Sequence, residues 1–100
     1  MIDLAPIVGF DWDDDNSRKS IDKHAAAKAE AEQVFLDPKL LVLADEKHSS
    51  EEKRFQAYGE TGAGRKLQVS FTLRYDGSLI RVISARDMSR KERARYAQEA

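Results

Sequence analysis

The sequence predicts an α+β fold, a mainly antiparallel sheet with N-terminal helices and a C-terminal helix. Three observations predict it. Leu67, Val69, Phe71, Leu73 and Tyr75 alternate with Gln68, Ser70, Thr72 and Arg74, the period of a strand with one buried face. Asp76-Gly77 then gives a two-residue hairpin signal leading into a second apolar run, Leu79 to Ala85, so these strands pair antiparallel. Helical spacing appears only toward the two ends of the chain, which separates helices from strands as α+β architecture requires.

Taken in order, Val8, Phe10 and Trp12 alternate with Gly9, Asp11 and Asp13, which predicts a first strand over Ile7 to Asp13. Asp13, Asp14, Asp15 and Asn16 follow. They supply N-cap side chains and place negative charge where the helix dipole favours it. Ile21, His24, Ala27, Ala31, Val34 and Phe35 then fall on one helical face, and Pro38 closes the region. Leu40 to Ala44 is a continuous apolar strand candidate and Arg54 to Glu60 another, with the polar loop Asp45 to Lys53 between them. Gly59, Gly62 and Gly64 read as a turn. Ser89 and Glu92 have capping-box spacing, so Arg90 to Gln98 is predicted helical, with Ala94, Ala97 and Tyr96 as a thin apolar stripe. The predicted order places the helices on one side of the sheet.

At 100 residues, 41% of them apolar, the chain reads as one domain over residues 1–100. With no cysteine, disulfide and thiolate chemistry are excluded. The longest apolar run, Leu40 to Ala44, is too short to span a bilayer, and Met1 to Phe10 lacks the features of a secretory signal. The expectation is therefore a cytoplasmic protein with no membrane partner. Charge is unevenly spread. Residues 1–64 carry 8 Lys+Arg against 14 Asp+Glu, a balance of −6, whereas residues 65–100 carry 9 against 4, a balance of +5. The second half is the better suited to an anion. The acidic stretch Asp11 to Asp15 lacks the glycine and distal glutamate of a calcium loop, and no glycine loop has phosphate-cradling spacing; neither metal nor cofactor is expected.

Seven segments then occur in a definite order. They are Phe10-Asp11-Trp12-Asp13, Lys23-His24, Val34-Phe35-Leu36-Asp37-Pro38, Asp45 with His48, Glu52-Lys53-Arg54-Phe55, Arg81 to Arg86, and Arg90 to Tyr96. As a set covering residues 10 to 96, this resembles the BrnT toxins of bacterial toxin–antitoxin pairs. The resemblance implies a RelE-like fold and metal-independent endoribonuclease activity that halts translation. It also implies a tight hetero-oligomer with a BrnA-type antitoxin, through which DNA is engaged only indirectly. The chain departs from the family where Ala25 to Ala29 replace a glycine-containing stretch. Glycine there would end a helix in a left-handed conformation, whereas alanines favour continuation, and the sequence allows one long helix from about Ser17 to Phe35. Asn16 and Ser17 stand where the family has a lysine and an asparagine, and no role is carried to them.

Metal-independent RNA cleavage needs a base for the ribose 2′-OH, cations for the phosphate charge and an acid for the leaving 5′-oxygen. His48 lies in the polar loop with Glu52 four residues on and Arg54 six on. It reads either as a proton-transfer group with Glu52 or as a turn cap in a solvated loop. His24, within an apolar stripe, reads rather as a core or helix-end histidine. Arg81 interrupts an apolar strand, where a charge needs an anionic ligand or a carboxylate such as Asp11 or Asp13. Arg81 and Arg86 fall on opposite faces of a regular strand, being five residues apart, and converge only if the strand ends or bulges between them. Ser84 has no histidine–acid pair at a recognisable spacing and reads as structural.

The catalytic candidates are thus His48, Glu52, Arg54, Arg81 and Arg86. Lys47, Lys53, Arg90 and Arg93 are candidates for contacting the RNA backbone, although the basic C-terminal run also reads as a solvated helix face. Two functions follow, an RNA-cleaving toxin and a non-catalytic module of the same fold that binds RNA or an antitoxin-like partner.

Overall fold

The structure, a computed structural model, describes residues 7–11, 28–48, 53–74 and 77–99. Its elements are β1 (Gly9–Phe10), α1 (Lys28–Val34), β2 (Leu41–Ala44), a 3₁₀ turn (Glu46–His48), β3 (Arg54–Glu60), β4 (Lys66–Arg74), β5 (Leu79–Asp87) and α2 (Arg90–Glu99). The strands form one sheet in the order β1-β5-β4-β3-β2. All neighbours are antiparallel except β1, which runs parallel to β5. The α+β class expected from the sequence is therefore what the chain adopts.

Alternation in β4 sorts the sheet into two faces. Leu67, Val69 and Phe71 are fully buried and join Ala57, Val82, Ala85 and, from α1, Ala31 and Val34 in the main core. Phe71 sits at its centre, edge-on to Phe35 at 5.1 Å and stacked on Phe55 at 5.5 Å, while Phe35 meets Phe10 of β1 at 5.6 Å. Four aromatic rings thereby join β1, the end of α1, β4 and β3. On the opposite face Tyr58, Leu41 and Leu43 gather with Met88 and Tyr96 into a second, smaller cluster. α1 thus covers one face and α2 covers part of the other. This corrects the expected placement of helices on one side: Leu41, Leu43 and Tyr58 form an apolar patch on the second face, and Tyr96 of α2 packs into it.

Other expectations shift at element ends. Of the predicted first strand Gly9–Phe10 is a strand paired with β5, and the amides of Val8 and Asp11 extend the pairing to the Ser78 and Ile80 carbonyls, each at 2.8 Å; Trp12 and Asp13 lie outside the described residues, as do His24, Ala25 to Ala27 and the acidic run from Asp13 to Asp15. One N-terminal helix, Lys28–Val34, is described where several were expected. The β4–β5 ladder closes on Arg74↔Leu79; of the Asp76-Gly77 turn expected between the two strands, Gly77 is described, at φ 87°, and Tyr75 and Asp76 lie outside the described residues. Gly59 belongs to β3 and not to a turn. An added Cβ there would lie 2.8 Å from the Val34 carbonyl oxygen, so the glycine is what lets α1 end against the strand. Arg65, in the β3–β4 turn, binds Asp87 through two hydrogen bonds, from Nε at 2.7 Å and Nη2 at 3.1 Å, and reaches Glu30 of α1 with Nη1 at 3.1 Å. It ties the turn, the end of β5 and the helix together.

Candidate active site

The face opposite the main core is read from the register. Arg54 of β3 pairs with Thr72 of β4, and Thr72 pairs with Arg81 of β5. Directly opposed residues share a face, so these side chains form one row across the three central strands. With strands about 4.8 Å apart, the two arginines start about 10 Å from each other, within reach of a single phosphodiester. The next rows are Gln56–Ser70–Ser84 and Tyr58–Gln68–Arg86.

Arg86 is on this face because β5 bulges. Phe71 pairs with Val82 and Ser70 with Ser84, which leaves Ile83 as the extra residue. One inserted residue restores the parity that a separation of five would break. Arg81, Ser84 and Arg86 consequently share the face, the condition under which the sequence allowed the two arginines to converge.

The polar loop expected to carry the proton-transfer groups begins at this face. Asp45 N–H donates to the Arg54 carbonyl at 2.8 Å, which sets the 3₁₀ turn Glu46–His48 beside the start of β3. The backbone of His48 is thereby placed at the end of the sheet where the Arg54–Thr72–Arg81 row begins. Glu52 lies outside the described residues. Lys47 and Lys53 are exposed on either side of the loop. Farther along the face, Tyr58 hydroxyl donates to Gln56 Oε1 at 2.6 Å, Gln56 Nε2 donates to Asp45 Oδ2 at 3.2 Å, and Gln68 Nε2 donates to Ser70 Oγ at 3.1 Å. Gln68 and Thr72 are each only 2% exposed. The strand pattern alone would have left both in solvent.

At the far end of the face α2 is anchored by the predicted capping box. Ser89 N–H donates to Glu92 Oε1 at 2.8 Å and Glu92 N–H donates to Ser89 Oγ at 3.2 Å. Arg86 grips the same carboxylate with both terminal nitrogens, at 2.7 and 2.9 Å, a bidentate pair that fixes the start of α2 to β5. Arg86 therefore reaches the predicted face with its fork already engaged. Arg90 is exposed, and Arg93 donates to the Met88 carbonyl at 2.8 Å. Of the expected apolar stripe only Tyr96 is buried, while Ala94 and Ala97 are exposed. Tyr96 hydroxyl donates to Asp37, which also accepts from the amides of Lys39 and Glu60, each at 2.8 Å. These Asp37 bonds lock α2 across the sheet end, and no spacing in the sequence signalled them.

The carboxyl groups at these anchors titrate low. For Glu92 the Arg86 hydrogen bonds outweigh burial, helped by Ser89. For Asp37 burial pushes the group up, but the bonds from Tyr96, Lys39 and Glu60 and the charge of Lys39 prevail. Asp87 is held down chiefly by its bonds to Arg65. A carboxyl whose native value lies below its unfolded value contributes stability fully present above roughly pH 4, the ordinary Asp and Glu range, and lost as pH falls through the native value. The thermal midpoint is therefore expected to decline on acidification below about pH 4, with Asp37→Asn and Glu92→Gln each flattening that decline. A midpoint indifferent to acid down to roughly pH 2.5 would contradict the assignment.

A cleft of about 580 Å³ opens at the other end of β3, lined by Gln33, Asp37, Lys39, Glu60 and Tyr96 among others. Its two carboxylates make it a poor seat for phosphate. Two arginines in one row make Arg54–Thr72–Arg81 the better suited of the two places to an anion. No helix among the described residues is long and apolar enough to cross a membrane.

A family model described as "Ribonuclease toxin, BrnT, of type II toxin-antitoxin system" matches residues 12–92, a span containing His48, Glu52, Arg54, Arg81 and Arg86. The crystal structure of the Brucella abortus ribonuclease toxin BrnT is similar in fold, with a TM-score of 0.62 and 22% sequence identity over 83% of this chain and 99% of that one. No curated protein matches the chain.

Proposed function

Since this chain belongs to the BrnT family of ribonuclease toxins of type II toxin–antitoxin systems, we propose that it is a metal-independent endoribonuclease whose active site is the Arg54–Thr72–Arg81 row together with the adjoining loop. The observation that carries this reading is the register that aligns two arginines across three strands, with the His48 turn at the same end of the sheet.

In the proposed reaction the ribose 2′-oxygen attacks phosphorus and the bond to the 5′-oxygen breaks, leaving a 2′,3′-cyclic phosphate and a 5′-hydroxyl. His48 and Glu52 serve the two proton transfers, since imidazole titrates near working pH. Arg54 and Arg81 stabilise the charge that builds on the non-bridging oxygens, for which a planar guanidinium is well shaped. Arg86, held by Glu92, acts as a positioning residue that keeps α2 beside the site. Lys47, Lys53, Arg90 and Arg93 contact flanking phosphates. Cleavage in the cytoplasm inhibits translation, and a BrnA-type antitoxin neutralises the enzyme and provides its only link to DNA.

The test is incubation of the purified protein with total cellular RNA in EDTA, with fragment ends mapped. Cleavage giving 5′-hydroxyl ends is expected. If cutting occurs only when a divalent ion is restored, metal independence fails; if RNA is bound and never cut, the chain is a non-catalytic binder.

A further inference from the structure

Thr72 belongs to β4, the central strand of the sheet, and is 2% exposed. Among the described residues its hydroxyl has no hydrogen-bond partner. A buried hydroxyl left unpaired is a net cost to folding, and each such group calls for a reason. Valine has nearly the same shape, suits a strand at least as well and carries no hydroxyl to satisfy. Neither packing nor strand propensity therefore accounts for the oxygen.

Its surroundings are informative. Of the buried polar side chains among the described residues, Gln68 bonds Ser70 and Thr61 accepts from the Arg65 amide, and on the same face Gln56 is bonded to both Tyr58 and Asp45. The Thr72 hydroxyl has no such bond, and it stands between Arg54 and Arg81. On strands alternating in this way, all three side chains rise from the same side of the sheet. A threonine hydroxyl is a neutral donor that rotates to suit its acceptor. Between two guanidinium groups, the acceptor that completes the set is an anionic oxygen.

We propose that the Thr72 hydroxyl donates a hydrogen bond to a non-bridging oxygen of the RNA phosphodiester seated between Arg54 and Arg81, so that Thr72 is a third phosphate-binding residue of the site. This rests on the reading of that row as the RNA site. The arginines supply charge and Thr72 supplies direction, fixing one oxygen over the centre of the row.

The experiment compares wild type, Thr72→Val and Thr72→Ser for three readouts: thermal midpoint, binding of a mixed-sequence RNA oligonucleotide made uncleavable by 2′-O-methylation, and cleavage of the matching unmodified RNA. Thr72→Val is expected to melt at or above the wild-type temperature, to bind the uncleavable RNA roughly tenfold more weakly and to cleave correspondingly more slowly, with Thr72→Ser recovering most of both. A Thr72→Val protein that binds and cleaves like wild type overturns the proposal while leaving the nuclease reading intact. A Thr72→Val midpoint well below that of wild type also overturns it, because the hydroxyl then has a structural partner. Wild-type binding that weakens in Thr72→Val without cleavage of any RNA upholds the phosphate contact and defeats the nuclease reading. Wild type that neither binds nor cuts RNA defeats both.

Discussion

Arg81→Ala is expected to slow RNA cleavage by roughly 10²–10³-fold, the usual consequence of removing one preorganised group that stabilises developing negative charge. Arg81 emerges from a strand whose neighbours Ile80 and Val82 are buried in the core, at 2% and 0% exposure. Its backbone is thus held by packing that does not depend on the arginine. The variant should keep a near-native thermal midpoint, which separates loss of chemistry from loss of fold. Arg81→Lys should recover little, because a point charge does not reproduce a planar fork on a phosphate. His48→Ala provides the companion measurement, with a loss of about 10²–10⁴-fold if the imidazole moves a proton. Its signature differs, since removing a titrating group changes the shape of the pH–rate profile and removing Arg81 only lowers it. Rates within a factor of three of wild type for a folded Arg81→Ala, His48→Ala double variant would sink the site assignment, and growth arrest on expression gives the same answer in cells.

Phe71→Ala should destabilise the fold by about 3–5 kcal/mol, the range for removing a buried phenyl ring and leaving a cavity. Phe71 is fully buried, packs edge-on against Phe35 and stacks on Phe55. Truncation removes two ring contacts at once and opens a void where α1, β3 and β4 meet. Domains of this size are stable by only about 5–15 kcal/mol, so the variant loses a large share of the total. At roughly 4–8 °C per kcal/mol its thermal midpoint should fall by something like 15 °C or more. Leu36→Ala is the control. That side chain is 81% exposed, and its truncation should change stability by no more than about 0.5 kcal/mol. Urea denaturation of both variants checks the contrast, and a Phe71→Ala loss below about 1 kcal/mol would mean that the core is not organised around this ring.

Adjacent residues of β4 show how far the sequence reaches. Phe71 is legible from alternation, because burying one face of a strand is a local pattern and the apolar phase of residues 67–73 states which face. Thr72 belongs to the polar phase of the same strand, and alternation places it in solvent. It is 2% exposed all the same and stands between Arg54 and Arg81 in the register, and its neighbours depend on which strands flank β4 and in what register. The capping box of Ser89 and Glu92 was likewise readable, since both partners lie within one helical turn. That Arg86 would share its carboxylate was not, for it required a bulge at Ile83 to turn the arginine toward α2. Helix and strand types, the hairpin, the C-terminal cap and the ordered segments that mark the family were therefore determined by the sequence itself, because each is a short-range pattern. The joining of Arg54 to Arg81, the covering of opposite faces by the two helices and the Asp37–Tyr96 lock across 59 positions were decided only by the tertiary structure. Contacts between distant residues are set by strand order and register, which local periodicity constrains only weakly.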